Sequence, residues 1–290
     1  MFKDHTFQSD DGLSLHLRDY PAHDEGTDKH PIVCLPGLSR NVRDFHELAL
    51  ILSQAKDTPR RVVVINYRGR GQSQWDENKK NYNIVREAQD FILAMGELNI
   101  TCANFIGTSR GGLILHILAA MKLELLSSVI FNDIGPVIEL SGLLEIQKYL
   151  ENARLPKNWD DAAQIQKSIH GKDFTDLDDD AWAAMAREIY KDSDGRLMPD
   201  FDTAVVDSIK TLEATTELPT LWDQFDLLKD VPMMAIRGEN SSLFSDETLQ
   251  TMADRHNKFT SLTVPNQGHP PILHTAGIDQ EITDFLRHQA

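Results

Sequence analysis

The residues with the plainest chemical use are Gly107-Thr108-Ser109-Arg110-Gly111. They follow a β-rich apolar run ending at Ile106 and precede a helical pattern. So tight a turn from strand to helix strains its middle residue and crowds its neighbours, which is why small residues flank it. It lifts the Ser109 hydroxyl above the sheet edge. The helix start behind it supplies free N–H groups and a positive dipole end. That is how a serine is presented as a nucleophile.

A serine hydroxyl attacks poorly until a base takes its proton. Imidazole suits the task, with an unperturbed pKa of about 6.5. Of the 11 histidines, His269 is singled out by position. It follows the last strand pattern through Asn266-Gln267-Gly268 and precedes the final helix, whereas His274 falls at the edge of that helix. Attack on a carbonyl also creates an oxyanion that needs preset donors. The loop Leu35-Pro36-Gly37-Leu38-Ser39-Arg40-Asn41 follows an earlier buried strand. The N–H groups of Leu38 and Arg110 are the candidate donors, and Gly37 lets the backbone approach closely.

The elements that must position these residues alternate along the chain. Residues 13–20 alternate apolar and polar side chains, as in a half-exposed strand. Residues 32–35, 61–67, 103–106 and 127–131 are short apolar runs, the pattern of strands buried on both faces. Helical spacing separates them at 42–55, 83–98 and 111–122. This order predicts a parallel sheet with helices on both faces. From 139 to 218 the pattern is helical and acidic, with no convincing buried strand. It reads as an insertion, too long for an ordinary loop. Strand, helix, strand and helix then resume at 231–237, 245–256, 259–264 and 278–288. The expected organisation is a first core segment at 1–136, a helical cap at 137–219 and a second core segment at 220–290.

Composition narrows the partners. The 290 residues carry a formal net charge of −16, with 45 acidic against 29 basic residues. A phosphate backbone calls for a basic surface, so no nucleic-acid partner is expected. No apolar run approaches the roughly 20 residues of a membrane span. The polar start, residues 1–11, has no secretory character. The two cysteines, Cys34 and Cys102, sit in apolar runs and read as small buried hydrophobes. A reducing cytoplasm fits these features. No metal site is expected: paired cysteines and a His-Glu-x-x-His run are both missing. Asp192-Ser193-Asp194-Gly195 hints at a calcium loop but lacks the rest of its spacing, and reads as a turn.

A further turn, Tyr67-Arg68-Gly69-Arg70-Gly71-Gln72-Ser73, lacks the lysine of a phosphate loop and reads as a brace for the sheet edge. Taken with the elbow at 107–111, the Pro36-Gly37-Leu38 loop and Gly268-His269, it resembles the α/β-hydrolase superfamily, with serine before histidine as in that family. The resemblance covers both core segments. It implies a mostly parallel eight-stranded sheet with a helical cap inserted after the sixth strand. It also implies hydrolysis of a small-molecule acyl substrate without a cofactor. One fold hosts many chemistries, so the substrate stays open.

The acid behind His269 departs from the commonest family pattern. That pattern places an aspartate three residues after Gly238, where this chain has Ser241. Another branch of the family takes its acid from the end of the sixth strand, where this chain has Asp133, 24 residues after Ser109. Asp133 is the favoured candidate and Glu239 the alternative. Around the site, Arg40 and Arg110 are candidate ligands for a substrate carboxylate; bonds to carbonyls or to a lid carboxylate are the other reading of Arg110. Trp159 and Trp182 are candidate pocket walls, with packing as their plainer reading. The apolar face of residues 140–150 reads as packing. Three activities are compatible with these residues: a serine esterase, a carbon–carbon bond hydrolase of a dienoic keto acid, and a non-catalytic ligand receptor on the same scaffold.

Overall fold

Five apolar runs form the middle of the fold. They are β3 (Ile32–Leu35), β4 (Val62–Ile65), β5 (Ala103–Thr108), β6 (Leu126–Asn132) and β9 (Met233–Gly238), and almost every residue in them is buried. The computed structural model describes residues 1–23 and 29–289. With β1 (Lys3–Gln8), β2 (Ser14–Tyr20) and β10 (Phe259–Val264), these strands make one eight-stranded sheet. Its order is β1-β2-β4-β3-β5-β6-β9-β10. Only β2 runs against its neighbours.

Helices cover both faces, as crossovers between parallel strands require. On one face α2 (Ile84–Glu97), α3 (Arg110–Lys122), α8 (Trp222–Leu227) and α9 (Asp246–Arg255) bury Phe91, Leu118, Phe225 and Met252 against the sheet. On the other, α1 (His46–Ser53) and α10 (Ile278–Arg287) bury Leu48, Leu52 and Ile282. Local signals set the helix starts. The Asn83 side chain accepts from Arg86 N to open α2, and Ser245 accepts from Thr248 N to open α9.

Between β6 and β9 the chain folds α4 (Leu140–Glu151), α5 (Trp159–His170), α6 (Asp179–Ile189) and α7 (Asp207–Lys210). This segment has a core of its own, built on Phe174, Trp182, Ala186 and Tyr190.

Two strands escape the periodicity. β1 buries only Phe7 and exposes most of its other side chains, as an edge strand does, so it shows no apolar alternation. In the insertion, β7 (Tyr190–Ser193) and β8 (Arg196–Pro199) form a hairpin. Its turn residues Asp194 and Gly195 both have positive φ, 52° and 78°, as two-residue hairpin turns demand. The Asp192 carboxylate accepts from Gly195 N at 2.8 Å, which gives the Asp192–Gly195 run a structural use. Cys34 is buried, Cys102 is half-buried, and both are free thiols.

Candidate active site

The strands β3, β5, β6, β9 and β10 run parallel, so the loops after them gather at one edge of the sheet. Leu38, Ser109, Asp133, Ser241 and His269 all lie in those loops.

Ser109 occupies the elbow between β5 and α3 with φ 51° and ψ −113°. An L-residue adopts such a conformation only when its surroundings impose it. A Cβ on Gly111 would lie 2.1 Å from the Leu35 carbonyl oxygen, and one on Gly107 would lie 2.7 Å from the Gly111 backbone. The flanking glycines are therefore steric requirements of the turn. The Ser109 N–H donates to the Asn132 carbonyl at 3.0 Å and ties the elbow to the end of β6.

His269 Nε2 lies 2.9 Å from Ser109 Oγ, and its Nδ1 lies 2.8 Å from Asp133 Oδ2. The carboxylate only accepts, so Nδ1 carries the proton and Nε2 is left to accept from the serine. Asp133 is fully buried. Its Oδ1 accepts from Gly238 N at 2.7 Å and its Oδ2 from Ser241 Oγ at 2.5 Å. These donors satisfy both oxygens of the buried carboxylate. Glu239 is exposed, and its carboxylate accepts from Asn266 N at 3.0 Å, away from His269.

The oxyanion candidates flank the serine. A Cβ on Gly37 would stand 4.0 Å from Ser109 Cβ, so the Leu38 loop passes close to Ser109. Arg110 opens α3, and its N–H is one of the four that a helix start leaves without an intrahelical acceptor. The turn at 67–73 reaches this loop as well as the sheet edge. Arg70 Nε donates to the Leu38 carbonyl at 2.9 Å, and Arg70 Nη1 donates to Glu87 Oε1 at 2.7 Å. Arg68 is buried against Asp90, Asp76 and Asp11.

Next to Ser109 is a cavity of about 130 Å³. Its walls come from the Gly37–Arg40 loop, the Ser109–His269 pair and the helices α4, α5 and α6. Arg40 lines it, but the guanidinium is engaged: Nε donates to Asp44 Oδ2 at 2.7 Å and Nη2 to Glu188 Oε2 at 2.9 Å. Arg110 turns away, donating to Glu87 Oε2 at 2.6 Å and to the Tyr82 carbonyl at 3.3 Å. Neither arginine therefore offers a free fork to a substrate carboxylate; this overturns the expectation for Arg40, while Arg110 bonds a carbonyl as its other reading has it, with a carboxylate from α2 rather than the lid. Trp159 and Trp182 also fall outside the cavity wall. Trp182 is buried in the core of the insertion, and Trp159 stacks under the Arg187 guanidinium at 4.6 Å. Their plainer reading, packing, is what they do.

His170 and Glu188 gave no signal in the sequence, and the 140–150 face that reads as packing instead brings Ile146, Tyr149 and Leu150 to the cavity wall. Tyr149, His170 and Glu188 line the cavity from α4, α5 and α6. Burial, with Arg40 and His269 nearby, pushes the His170 imidazole down to about 4, so it is neutral. Burial and the neighbouring Asp44 push the Glu188 carboxyl up to about 8. Asn132 steadies the histidine loop by donating to the Pro271 carbonyl at 3.1 Å.

The alpha/beta hydrolase fold family model matches residues 30–274. The chain belongs to the alpha/beta hydrolase family. A crystallised alpha/beta hydrolase from Novosphingobium aromaticivorans is 31% identical, with a TM-score of 0.89 over 99% of this chain and 98% of that one. The 3-hydroxybutyrate-oligomer hydrolase of Cupriavidus necator is 28% identical over 271 residues, 89% of this chain and 88% of the relative. An esterase from Exiguobacterium antarcticum shares 17% identity at a TM-score of 0.69, covering 97% of this chain and 96% of the other, a likeness of fold. Among the described residues no helix is long and apolar enough to cross a membrane.

Proposed function

We propose that this alpha/beta hydrolase cleaves carboxylic esters of short acyl chains through an acyl-enzyme on Ser109. The observation that carries this reading is the unbroken series of hydrogen bonds from Ser109 through His269 to Asp133. His269 Nε2 takes the hydroxyl proton as Ser109 Oγ attacks the ester carbonyl. Asp133 holds the imidazole in the right tautomer and stabilises the imidazolium that forms. The N–H groups of Leu38 and Arg110 receive the developing oxyanion. His269 then protonates the departing alcohol. Water, deprotonated by His269, attacks the acyl-enzyme, and the acid leaves with Ser109 restored. No cofactor enters these steps.

Two rivals lose support from the geometry. A dienoic keto acid carries a carboxylate, and the arginines near the site are already paired. A receptor without a working acid would not need a buried, fully hydrogen-bonded Asp133. The likeness to a 3-hydroxybutyrate-oligomer hydrolase fits ester cleavage, since such oligomers are joined by ester bonds. The insertion at 137–219 serves in this reading as a lid, because three of its helices wall the cavity.

The test is labelling with a fluorophosphonate probe. Wild type should label and Ser109→Ala should not. Asp133→Asn should lose about four orders of magnitude in turnover, and Glu239→Gln should stay near wild type. An unlabelled wild type rules out the serine-hydrolase reading; collapse in Glu239→Gln with Asp133→Asn still active moves the acid to Glu239.

A further inference from the structure

Three helices of the insertion each send one polar group with unused hydrogen-bonding capacity to the wall of the cavity beside Ser109. Glu188 of α6 commits only Oε2, to Arg40; among the described residues its Oε1 has no partner. The Tyr149 hydroxyl on α4 and both ring nitrogens of His170, at the end of α5, likewise make no hydrogen bond among the described residues. Tyr149 and His170 meet edge to face, with ring centroids 5.3 Å apart. A half-buried polar group left uncommitted is a cost of about 1–3 kcal/mol once solvent is excluded. All three residues line the one cavity beside Ser109, where a ligand can meet them.

The charges on that wall select the ligand. Among the described residues Arg40 is its one arginine, and Asp44 and Glu188 already bracket it. His170 is neutral. A carboxylate entering here would meet no free cation and would lie beside the Asp44 charge. A hydroxyl, which both donates and accepts, matches the set. Tyr149 Oη and neutral His170 each provide a donor and an acceptor. Glu188 Oε1, without a partner among the described residues, provides a third acceptor. At about 130 Å³ the cavity is well below the roughly 300–1,000 Å³ of sites for drug-sized ligands, so the chain it takes is short.

We propose that Tyr149, His170 and Glu188 form a recognition site for a hydroxyl on a short, uncharged acyl chain, so that the preferred substrates are esters of small hydroxy acids. This rests on the ester-hydrolase reading above and deepens it. Specificity built on a hydrogen-bonded hydroxyl is sharp, because an analogue without the group leaves buried polar atoms unpaired.

The experiment compares the p-nitrophenyl esters of 3-hydroxybutyrate, butyrate and succinate, the last with its second carboxylate free. Each enzyme is first titrated with a fluorophosphonate, and results are read as ratios of kcat/KM within one enzyme, so that partial folding cancels. Wild type should favour hydroxybutyryl over butyryl by about tenfold or more, and should handle the succinyl ester worst. Tyr149→Phe should pull the hydroxybutyryl to butyryl ratio down several-fold. Asp44→Asn, which removes a charge beside Arg40, should raise the succinyl to butyryl ratio. A labelled wild type with a hydroxybutyryl to butyryl ratio of one or less overturns the hydroxyl site alone. So does a ratio that Tyr149→Phe leaves unchanged, or a succinyl ester that outruns butyryl in wild type. A wild type that neither labels nor turns over any of the three overturns the hydrolase reading, and the hydroxyl site with it.

Discussion

Ser241 donates its hydroxyl proton to Asp133 Oδ2 at 2.5 Å, onto the same oxygen that accepts from His269 Nδ1. A serine thus stands where the commonest family arrangement has an acid, and it donates to the carboxylate at the end of the neighbouring strand. A hydrogen bond to a charged group contributes about 1.5–3 kcal/mol. Ser241→Ala should therefore lower kcat/KM about tenfold, and Ser241→Thr, which keeps the hydroxyl, should recover most of it. Equal rates for Ser241→Ala and wild type on one ester would sink this role.

How much of this was legible depends on how local each feature is. The elbow announces itself because Gly107 and Gly111 are forced by backbone contacts within the turn and with Leu35. His269 is legible by its place after the last strand. The Asp133–Ser241 relationship is not, because it needs the parallel register of β6 on β9. Asn132 pairs with Ile236, and Asp133 N donates to the Ile236 carbonyl at 2.7 Å, which sets residue 133 beside residue 238. Arg40 misled for a similar reason. Its residue type suggests a ligand for a carboxylate, but one of its partners, Glu188, is 148 residues away. Trp182 misled because a large aromatic reads alike in a pocket wall and in the small core of an insertion. β1 was silent because an exposed edge strand buries too little to leave a pattern.

Glu87 links the two oxyanion candidates. Its side chain is fully buried, with Oε1 on Arg70 and Oε2 on Arg110, and Arg70 in turn holds the Leu38 carbonyl. Both N–H donors thus belong to residues anchored on one carboxylate. Glu87→Gln keeps the volume and one acceptor but loses the charge shared by two arginines. We expect kcat to fall about tenfold with KM little changed, since donors aimed at the oxyanion act in the transition state. Thermal stability should fall as well, because removing one partner of a buried ion pair costs about 3–5 kcal/mol. A lower Tm with an unaltered kcat would leave Glu87 a purely structural residue.

Two glycine substitutions should behave oppositely. Gly111→Ala drives a Cβ to 2.1 Å from the Leu35 carbonyl, a backbone atom in the central sheet with no room to retreat. It should abolish soluble folded protein or cut Tm sharply. Gly96→Ala, in the last turn of α2, meets nothing within 4 Å. Alanine there should stabilise by about 0.5–1 kcal/mol. Denaturant melts of the two variants beside wild type decide the matter.

Acid sensitivity has an identifiable source. His116 is fully buried, stacks on Phe131 with ring centroids 4.7 Å apart, and is pushed down to about 4 by desolvation. The unfolded chain protonates this imidazole near its ordinary 6.5, while the fold resists until about 4. Across that window the unfolded state binds more protons, so stability drops as pH falls and is restored above 6.5. His116→Leu should flatten the decline in stability between pH 6.5 and 4. An acid limb as steep as that of wild type would place the sensitivity elsewhere.

Arg43 fastens the insertion to the core beside the proposed substrate cavity. It follows the loop at 37–41, and its Nη1 pairs with Asp200 Oδ2 at 2.6 Å. Its Nη2 donates to the Glu188 carbonyl at 2.9 Å and its Nε to the Arg187 carbonyl at 3.1 Å. These bonds grip the C-terminal end of α6 and the residue after β8, and the same stretch carries the Glu188 side chain into the cavity wall. Lys191 also pairs with Asp200, at 3.0 Å, so removing Arg43 does not strip that buried carboxylate of every cation. Arg43→Ala should therefore spare the core fold and Ser109 labelling while letting the end of α6 drift. The expected signature is a KM raised several-fold with kcat changed less, and faster limited proteolysis within 137–219. The two readouts must move together. A higher KM with unchanged proteolysis points to a direct contact between Arg43 and substrate, and faster proteolysis with wild-type KM means that the grip does not shape the cavity.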